Sequence, residues 1–386
     1  MYNTQDHTYM SLALAEAKKS LFISNPNPRV GCVLVKNDVI IGIGHTQAVG
    51  GDHAEIQALK DAQKKGFDVA GSTAYVTLEP CCHHGKTPPC TDSLIKTKVA
   101  KVIAAMEDPN PLVAGQGLAV LRQAGIDVRC GLLEKEATEL NIGFIHRMRT
   151  GLPWVRMKIA SSLDGTTALN NGISQWITSD EARHDGHYWR ARACCVLTGI
   201  GTVKEDNPQM NVRGIDTPRQ PLRVLIDSFL EVPLHSKILD ESIGGHTIIF
   251  CGAVDPKHFT QVETALRAKN VSIVQLPAHS DVAGKTGKVD LPSVMKHLAE
   301  KLHINEVHVE AGFKLNGSLL RENCINELLL YVAPKLLGPG AGLANLPELT
   351  NLESTSDWEF VDHALVGEDL RLRLHLSSQD TTKKAD

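Results

Sequence analysis

TLEPCCHHGKTPPC (Thr77–Cys90) is the stretch on which the reading of this chain turns. It gathers Cys81, Cys82, His83, His84 and Cys90 within one segment. Upstream stands His53-Ala54-Glu55, at the expected start of a helix. One imidazole and two thiolates suit a tetrahedral, borderline-soft ion such as zinc. A catalytic zinc takes three protein ligands and keeps a fourth position for water, whose pKa it lowers toward neutrality. His53, Cys81 and Cys90 are the expected ligands. Glu55, two residues after the histidine, can reach that water without touching the metal and serve as general acid–base. Cys82, His83 and His84 compete as ligands. The two histidines are expected instead to contact substrate or to pack within the loop.

Outward from this stretch, the first part of the chain alternates helices and strands. Met10, Ala13, Leu14, Ala17 and Leu21 follow helical spacing over 6–21, and Asn25–Pro28 stops that helix. Val30–Lys36 and Val39–His45 read as strands joined at Asn37-Asp38. A helix follows from about His53 to Lys65, then a strand at Ala74–Leu78. Shorter elements continue to one helical stretch, Glu134–Arg149. Such alternation predicts a three-layer α/β/α domain over 1–147. RMRTGLPWV (Arg147–Val155) marks a boundary, and a second α/β domain is expected over 152–378. The last residues, 379–386, form a polar tail expected to be disordered.

The 386 residues carry a net charge of −4, with 42% apolar and 4% aromatic residues. Phosphate contacts dominate nucleic-acid affinity, so a small-molecule substrate is expected and no nucleic acid. No run of about 18 apolar residues occurs, so no membrane span is expected, and the N-terminus is too polar for a secretory signal. The cysteines then read as cytoplasmic thiols, a subset of them binding metal.

The paired elements H-x-E and P-C match the signature of zinc-dependent base deaminases, except that eight residues separate Cys81 from Cys90 instead of two. Together, NPNPRVGCVLV (Asn25–Val35), HAE, TLEPCCHHGKTPPC and MEDPNP (Met106–Pro111) resemble the bifunctional deaminase–reductases of riboflavin biosynthesis, over nearly the whole chain. The long Cys–Cys insert is typical of that family. The resemblance implies a cytidine-deaminase-like first domain acting on a phosphorylated diaminopyrimidine. It also implies that Asn27, His45 and Lys86 contact the ribose phosphate or the ring. An alternative is a nucleoside or RNA deaminase with an unrelated or inactive C-terminal domain.

The second half has no P-loop and no G-x-G-x-x-G after a first strand. Three strand–loop junctions, at Met157–Gly165, Leu197–Pro208 and Val309–Leu320, could present backbone N–H groups to a pyrophosphate. The resemblance makes this half a dihydrofolate-reductase-like α/β domain using NADPH. By match, Ala160, Trp176, Thr202, Asp206, Ser228 and Gly312 would contact the cofactor. Ser174, Arg190, Met210, Arg213 and Glu310 would contact substrate, and Lys158 and Asp164 would lie beside hydride transfer. Forked guanidinium groups at Arg190 and Arg213 suit a ribose phosphate. The proton donor is left open among Lys158, Asp164, Glu310 and water. A homo-oligomer, dimer or tetramer, is also expected.

Overall fold

Asn3 opens the first helix with a capping box: its side chain accepts the Asp6 N–H, and the Asp6 carboxylate accepts the Asn3 N–H. The computed structural model describes residues 2–83, 88–111, 113–277, 287–351 and 357–377. The chain divides into two units, Met1–Leu152 and Pro153–Asp386.

In chain order the first unit contains α1 (Thr4–Lys18), β1 (Gly31–Lys36), β2 (Val39–His45), α2 (Ala54–Lys64), β3 (Thr73–Val76) and α3 (Cys90–Lys96). β4 (Lys101–Ala104), α4 (Gln116–Gln123), β5 (Asp127–Cys130), α5 (Glu134–Leu140) and α6 (Ile142–Thr150) complete it. The sheet order is β2-β1-β3-β4-β5, antiparallel at β2-β1-β3 and parallel at β3-β4-β5. Glycine lets helices approach this sheet closely. A Cβ on Gly44 would stand 2.4 Å from the Ala54 carbonyl oxygen, and one on Gly42 would stand 2.3 Å from that of Ala58. Ala54, Ala58 and Ala62, one stripe of α2, therefore seat directly on β2, fixing the helix start that carries His53 and Glu55. Gly31 meets Ala13 of α1 in the same way. Gly31 and Cys32, whose partner across the pair is Gly44, point to opposite faces. Hence α1 and α2 cover opposite sides, giving three layers.

The helical stretch expected over Glu134–Arg149 is two helices, broken at Asn141 (φ −109°, ψ 18°). The buried Asn141 amide accepts the Arg29 N–H at 2.7 Å and donates to the Arg29 carbonyl at 2.9 Å. A side chain that satisfies another segment's backbone this way outweighs helix continuity. It also anchors the turn that leads from Asn27 into β1.

The second unit contains β6 (Trp154–Ser162), β7 (Ala168–Leu169), α7 (Asp180–Arg192), β8 (Cys195–Gly199), α8 (Ile200–Asp206) and β9 (Leu222–Ile226). There follow β10 (Thr247–Cys251), α9 (Pro256–Arg267), β11 (Val271–Gln275), α10 (Leu291–Leu302), β12 (Glu306–Val309), α11 (Phe313–Arg321) and β13 (Glu327–Ala333). β14 (Gly340–Ala341), β15 (Trp358–Val366) and β16 (Asp369–Leu376) close the unit. The main sheet has the order β11-β10-β9-β8-β12-β6-β13-β16-β15. It is parallel as far as β13, and β16 and β15 then add an antiparallel hairpin. Parallel strands place their carboxyl ends along one edge, where ligands bind in open α/β sheets.

Beneath α7 the sheet is charged where apolar residues would be usual. Arg156, fully buried, lies 3.2 Å from Glu306 and 2.8 Å from Glu327. Arg192 pairs with Glu306 and Arg373 with Glu327, both at 2.8 Å, and the Trp189 ring lies 4.4 Å from the Arg156 guanidinium. Burial alone would raise the Glu327 carboxyl, but Arg156 and Arg373 hold it well below the carboxylate range. Removing one member of such a cluster strands the others. Glu327→Ala should cost about 3–5 kcal/mol of stability, read from the denaturation midpoint. A depressed carboxyl contributes stability above its ordinary pKa and loses it as pH falls through its folded value. The gap between wild type and variant should therefore shrink below roughly pH 4.

Candidate active sites

In the first unit, α2 begins at Ala54 with His53 at its N-cap, Cys81 follows β3, and Cys90 begins α3. These elements bring three donor atoms together. His53 Nδ1 lies 3.6 Å from Cys81 Sγ and 3.4 Å from Cys90 Sγ, and all three ligand atoms lie within 4.8 Å of one another. A tetrahedral ion about 2.3 Å from sulfur and about 2.1 Å from nitrogen needs separations of about 3.6 Å, so the donor set fits zinc. The Cys81 sulfur also accepts the Cys90 N–H at 3.4 Å. Hydrogen bonds from Cys90 and His53 hold its thiol down to about 4. Glu55 is 4% exposed, and burial beside the Cys81 sulfur pushes its carboxyl up to about 7. A general acid–base is most effective near the operating pH.

At the rim, Asn27 is half-buried, its N–H donating to the Ser24 carbonyl at 2.8 Å. His45 ends β2, with Nδ1 3.6 Å from the Glu16 carboxylate. Lys86 and His84 lie outside the described residues, while His83 is exposed.

In the second unit, the candidates cluster along the carboxyl edge of the parallel strands. Lys158 and Ala160 lie on β6, Thr202 on α8, Ser228 just after β9, and Glu310 and Gly312 just after β12. A Cβ on Gly312 would stand 3.7 Å from the Thr202 hydroxyl, so these two junctions adjoin. Glu310 receives both Nε and Nη2 of Arg190, and His308 Nε2 stands 3.2 Å from its Oε1. Burial would raise the Glu310 carboxyl, but Arg190 holds it well below the usual range. Burial lowers the Lys158 ammonium, with Glu310 opposing and Arg190 assisting.

Asp164 is on the turn after β6. It accepts the Ser162 hydroxyl and the N–H groups of Leu337 and Gly338, and these bonds lower its carboxyl. It clasps this turn to the loop after β13. Trp176 is exposed, with the Arg183 guanidinium 4.4 Å above its ring. Ser174 is half-buried in the same loop, and Gln175 reaches Asp206 at 3.5 Å. Ser228 Oγ accepts the Val289 N–H at 3.1 Å.

A model of the cytidine and deoxycytidylate deaminase zinc-binding region matches residues 3–106, and one of the RibD C-terminal domain matches residues 153–372. The chain is 43% identical to the riboflavin biosynthesis protein RibD of Escherichia coli, covering 96% of this chain and 99% of that one. The chain belongs to the RibD family. The solved RibD of Acinetobacter baumannii superposes with a TM-score of 0.83 at 39% identity, covering 97% of this chain and 99% of that one. A Thermotoga maritima structure described as a diaminohydroxyphosphoribosylaminopyrimidine deaminase/5-amino-6-(5-phosphoribosylamino)uracil reductase gives 0.81 at 33%, with coverage of 97% and 99%. The chain is thus a bifunctional enzyme of riboflavin biosynthesis. It joins a zinc-binding deaminase domain to a reductase domain that uses NADPH.

Within this RibD frame, Met210 needs a different reading from its neighbours. Its side chain is buried in the apolar cluster with Val196, Val203 and Leu225, at φ +54°. The residue as a whole is only 2% exposed. Sequence reasoning also passed over Glu79. Its buried carboxylate accepts the N–H groups of Asp108, Gly115 and Leu118 at 3.0, 2.9 and 3.1 Å, fixing the segment that enters Cys81. An acidic residue immediately before Pro80-Cys81 was the available signal.

Proposed function

We propose that the first unit deaminates C2 of 2,5-diamino-6-ribosylamino-4(3H)-pyrimidinone 5′-phosphate. The second unit then reduces the ribosyl group of 5-amino-6-(5-phosphoribosylamino)uracil to ribityl. The observation that carries this reading is the meeting of His53, Cys81 and Cys90 beside buried Glu55, in a chain whose other unit groups Lys158, Arg190 and Glu310.

His53, Cys81 and Cys90 would hold the zinc, their ligand atoms lying within 4.8 Å of one another. When bound, zinc supplies the Lewis acidity that makes water nucleophilic near neutral pH. Glu55 would carry one proton of the attacking water to the ring nitrogen, and then the proton of the added hydroxyl to the amine, which departs as ammonia while the carbonyl forms. Asn27, His45 and Lys86 orient the ring and its ribose phosphate.

In the reductase unit, NADPH supplies the hydride, and the protein supplies orientation and charge. Ala160, Trp176, Thr202, Asp206, Ser228 and Gly312 would hold the cofactor. Ser174, Arg213 and Glu310 line the substrate side. Arg190 acts there through Glu310, since its fork is turned onto that carboxylate. Glu310 and Asp164 are both held ionised, so neither has a proton to give, and the Lys158 ammonium is assigned as the donor. Its Nζ protonates the imine nitrogen of the opened ribosylamine as C1′ receives the hydride. Asp164 positions the adjoining loops.

The substrate is a small phosphorylated molecule and not a nucleic acid, and the enzyme works in the cytoplasm as a homo-oligomer. Among the described residues no helix is long and apolar enough to cross a membrane. Zinc analysis joined to a two-step assay tests the reading. About one zinc per chain is expected, with NADPH oxidation that requires the deaminated product. Unimpaired deamination by zinc-free protein would overturn it.

A further inference from the structure

His184, His187 and Arg190 succeed one another at three-residue spacing along one face of α7, the helix that borders the reductase substrate side. Arg190 has little left to offer a ligand: Nε and Nη2 go to Glu310, and Nη1 donates to the Asn211 carbonyl at 2.8 Å. Arg213 spends Nη1 on the Asn211 and Gln209 side chains, while its Nε and Nη2 have no protein acceptor among the described residues. The Arg213 backbone N–H donates to His187 Nδ1 at 3.2 Å. An imidazole whose Nδ1 accepts carries its proton on Nε2. His187 Nε2 has no protein acceptor among the described residues.

We propose that His187 is a further substrate-binding residue of the reductase, a neutral imidazole whose Nε2–H donates to the phosphate that Arg213 receives. This rests on the reading of the second unit as a reductase of a phosphorylated ribosylamine. Three groups facing the ring favour the neutral form: Arg190 and His184 on α7, and Arg213 in the segment after α8. Glu310 opposes them but is already paired with Arg190. Burial and these cations push the His187 imidazolium down to about 4. Protonation would also place a hydrogen on Nδ1, against the Arg213 N–H. The ring is therefore fixed in one tautomer, a donor that costs no proton uptake when a dianion arrives.

The test is steady-state NADPH oxidation with the deaminated substrate, comparing wild type, His187→Ala and His187→Gln between about pH 5.5 and 8, above the depressed His187 pKa. A hydrogen bond to a charged group sets the scale, so His187→Ala should raise KM roughly tenfold or more. The phosphate is remote from C1′, so the loss should fall on KM and leave kcat nearly as it was. Glutamine keeps an N–H donor, so His187→Gln should recover most of the loss. The KM ratio of His187→Ala to wild type should be flat across the pH range, because the phosphate's own titration is common to both. An unchanged KM in His187→Ala overturns the proposal. So does a ratio that grows steadily toward acid pH, which would mean a cationic ligand. Wild-type protein that oxidises no NADPH with this substrate would refute the reductase reading itself, a result distinct from either.

Discussion

Glu55→Ala should lose deamination by about 10³–10⁴-fold, near the upper range for a positioned acid–base, while keeping its zinc. NADPH oxidation on supplied intermediate should match wild type. Glu55 is not among the three residues grouped to hold a metal, His53, Cys81 and Cys90. Its carboxylate is enclosed, 4% exposed, and burial pushes it up to about 7. The group is thus poised to take a proton and give it back. Glu55→Gln preserves the shape and still cannot accept the proton, so it should be as inactive as Glu55→Ala. The informative measurement is zinc content beside both half-reactions on one preparation. Retained deamination above about a tenth of wild type would remove Glu55 from the proton path. Loss of zinc together with activity would instead make it a structural support of the metal loop.

Why this half was legible, and the other less so, follows from how the residues are spaced. Metal chemistry demands particular side chains, and two of them, His53 and Glu55, sit in one short segment, so the sequence displays them together. The eight-residue insert before Cys90 then distinguishes this family from other deaminases. Strand and helix limits were also readable, because Ala54, Ala58 and Ala62 repeat at the helical period and β1 is a short continuous apolar run, buried on both faces. The break at Asn141 was not readable, since its cause is the Arg29 backbone, distant in sequence. The charged layer beneath α7 was hidden for the same reason. Arg156, Glu306, Glu327 and Arg373 come from four separate strands and acquire meaning only when those strands are adjacent. Met210 shows the limit of residue matching. Its side chain belongs to the apolar core, which nothing in its immediate sequence announces.

Lys158→Met should abolish reduction by about 10³-fold or more in kcat, within the range for loss of a positioned proton donor, with deamination unchanged. Methionine keeps the length and apolar stem of lysine, so the variant should fold and still bind NADPH. Lys158→Arg restores the charge and should not restore the rate, because a guanidinium does not release its proton in proteins. That contrast separates proton supply from simple electrostatic attraction. Burial lowers the Lys158 ammonium below the ordinary lysine value, while Glu310 limits the fall. The protonated form is the working one, so wild-type kcat should decline as pH rises through that lowered pKa. The alkaline limb should therefore lie below the range of an exposed lysine. Glu310→Gln removes the opposing carboxylate and should draw the limb to still lower pH. A Lys158→Arg enzyme with near wild-type kcat would show that charge alone suffices and would return the proton to water.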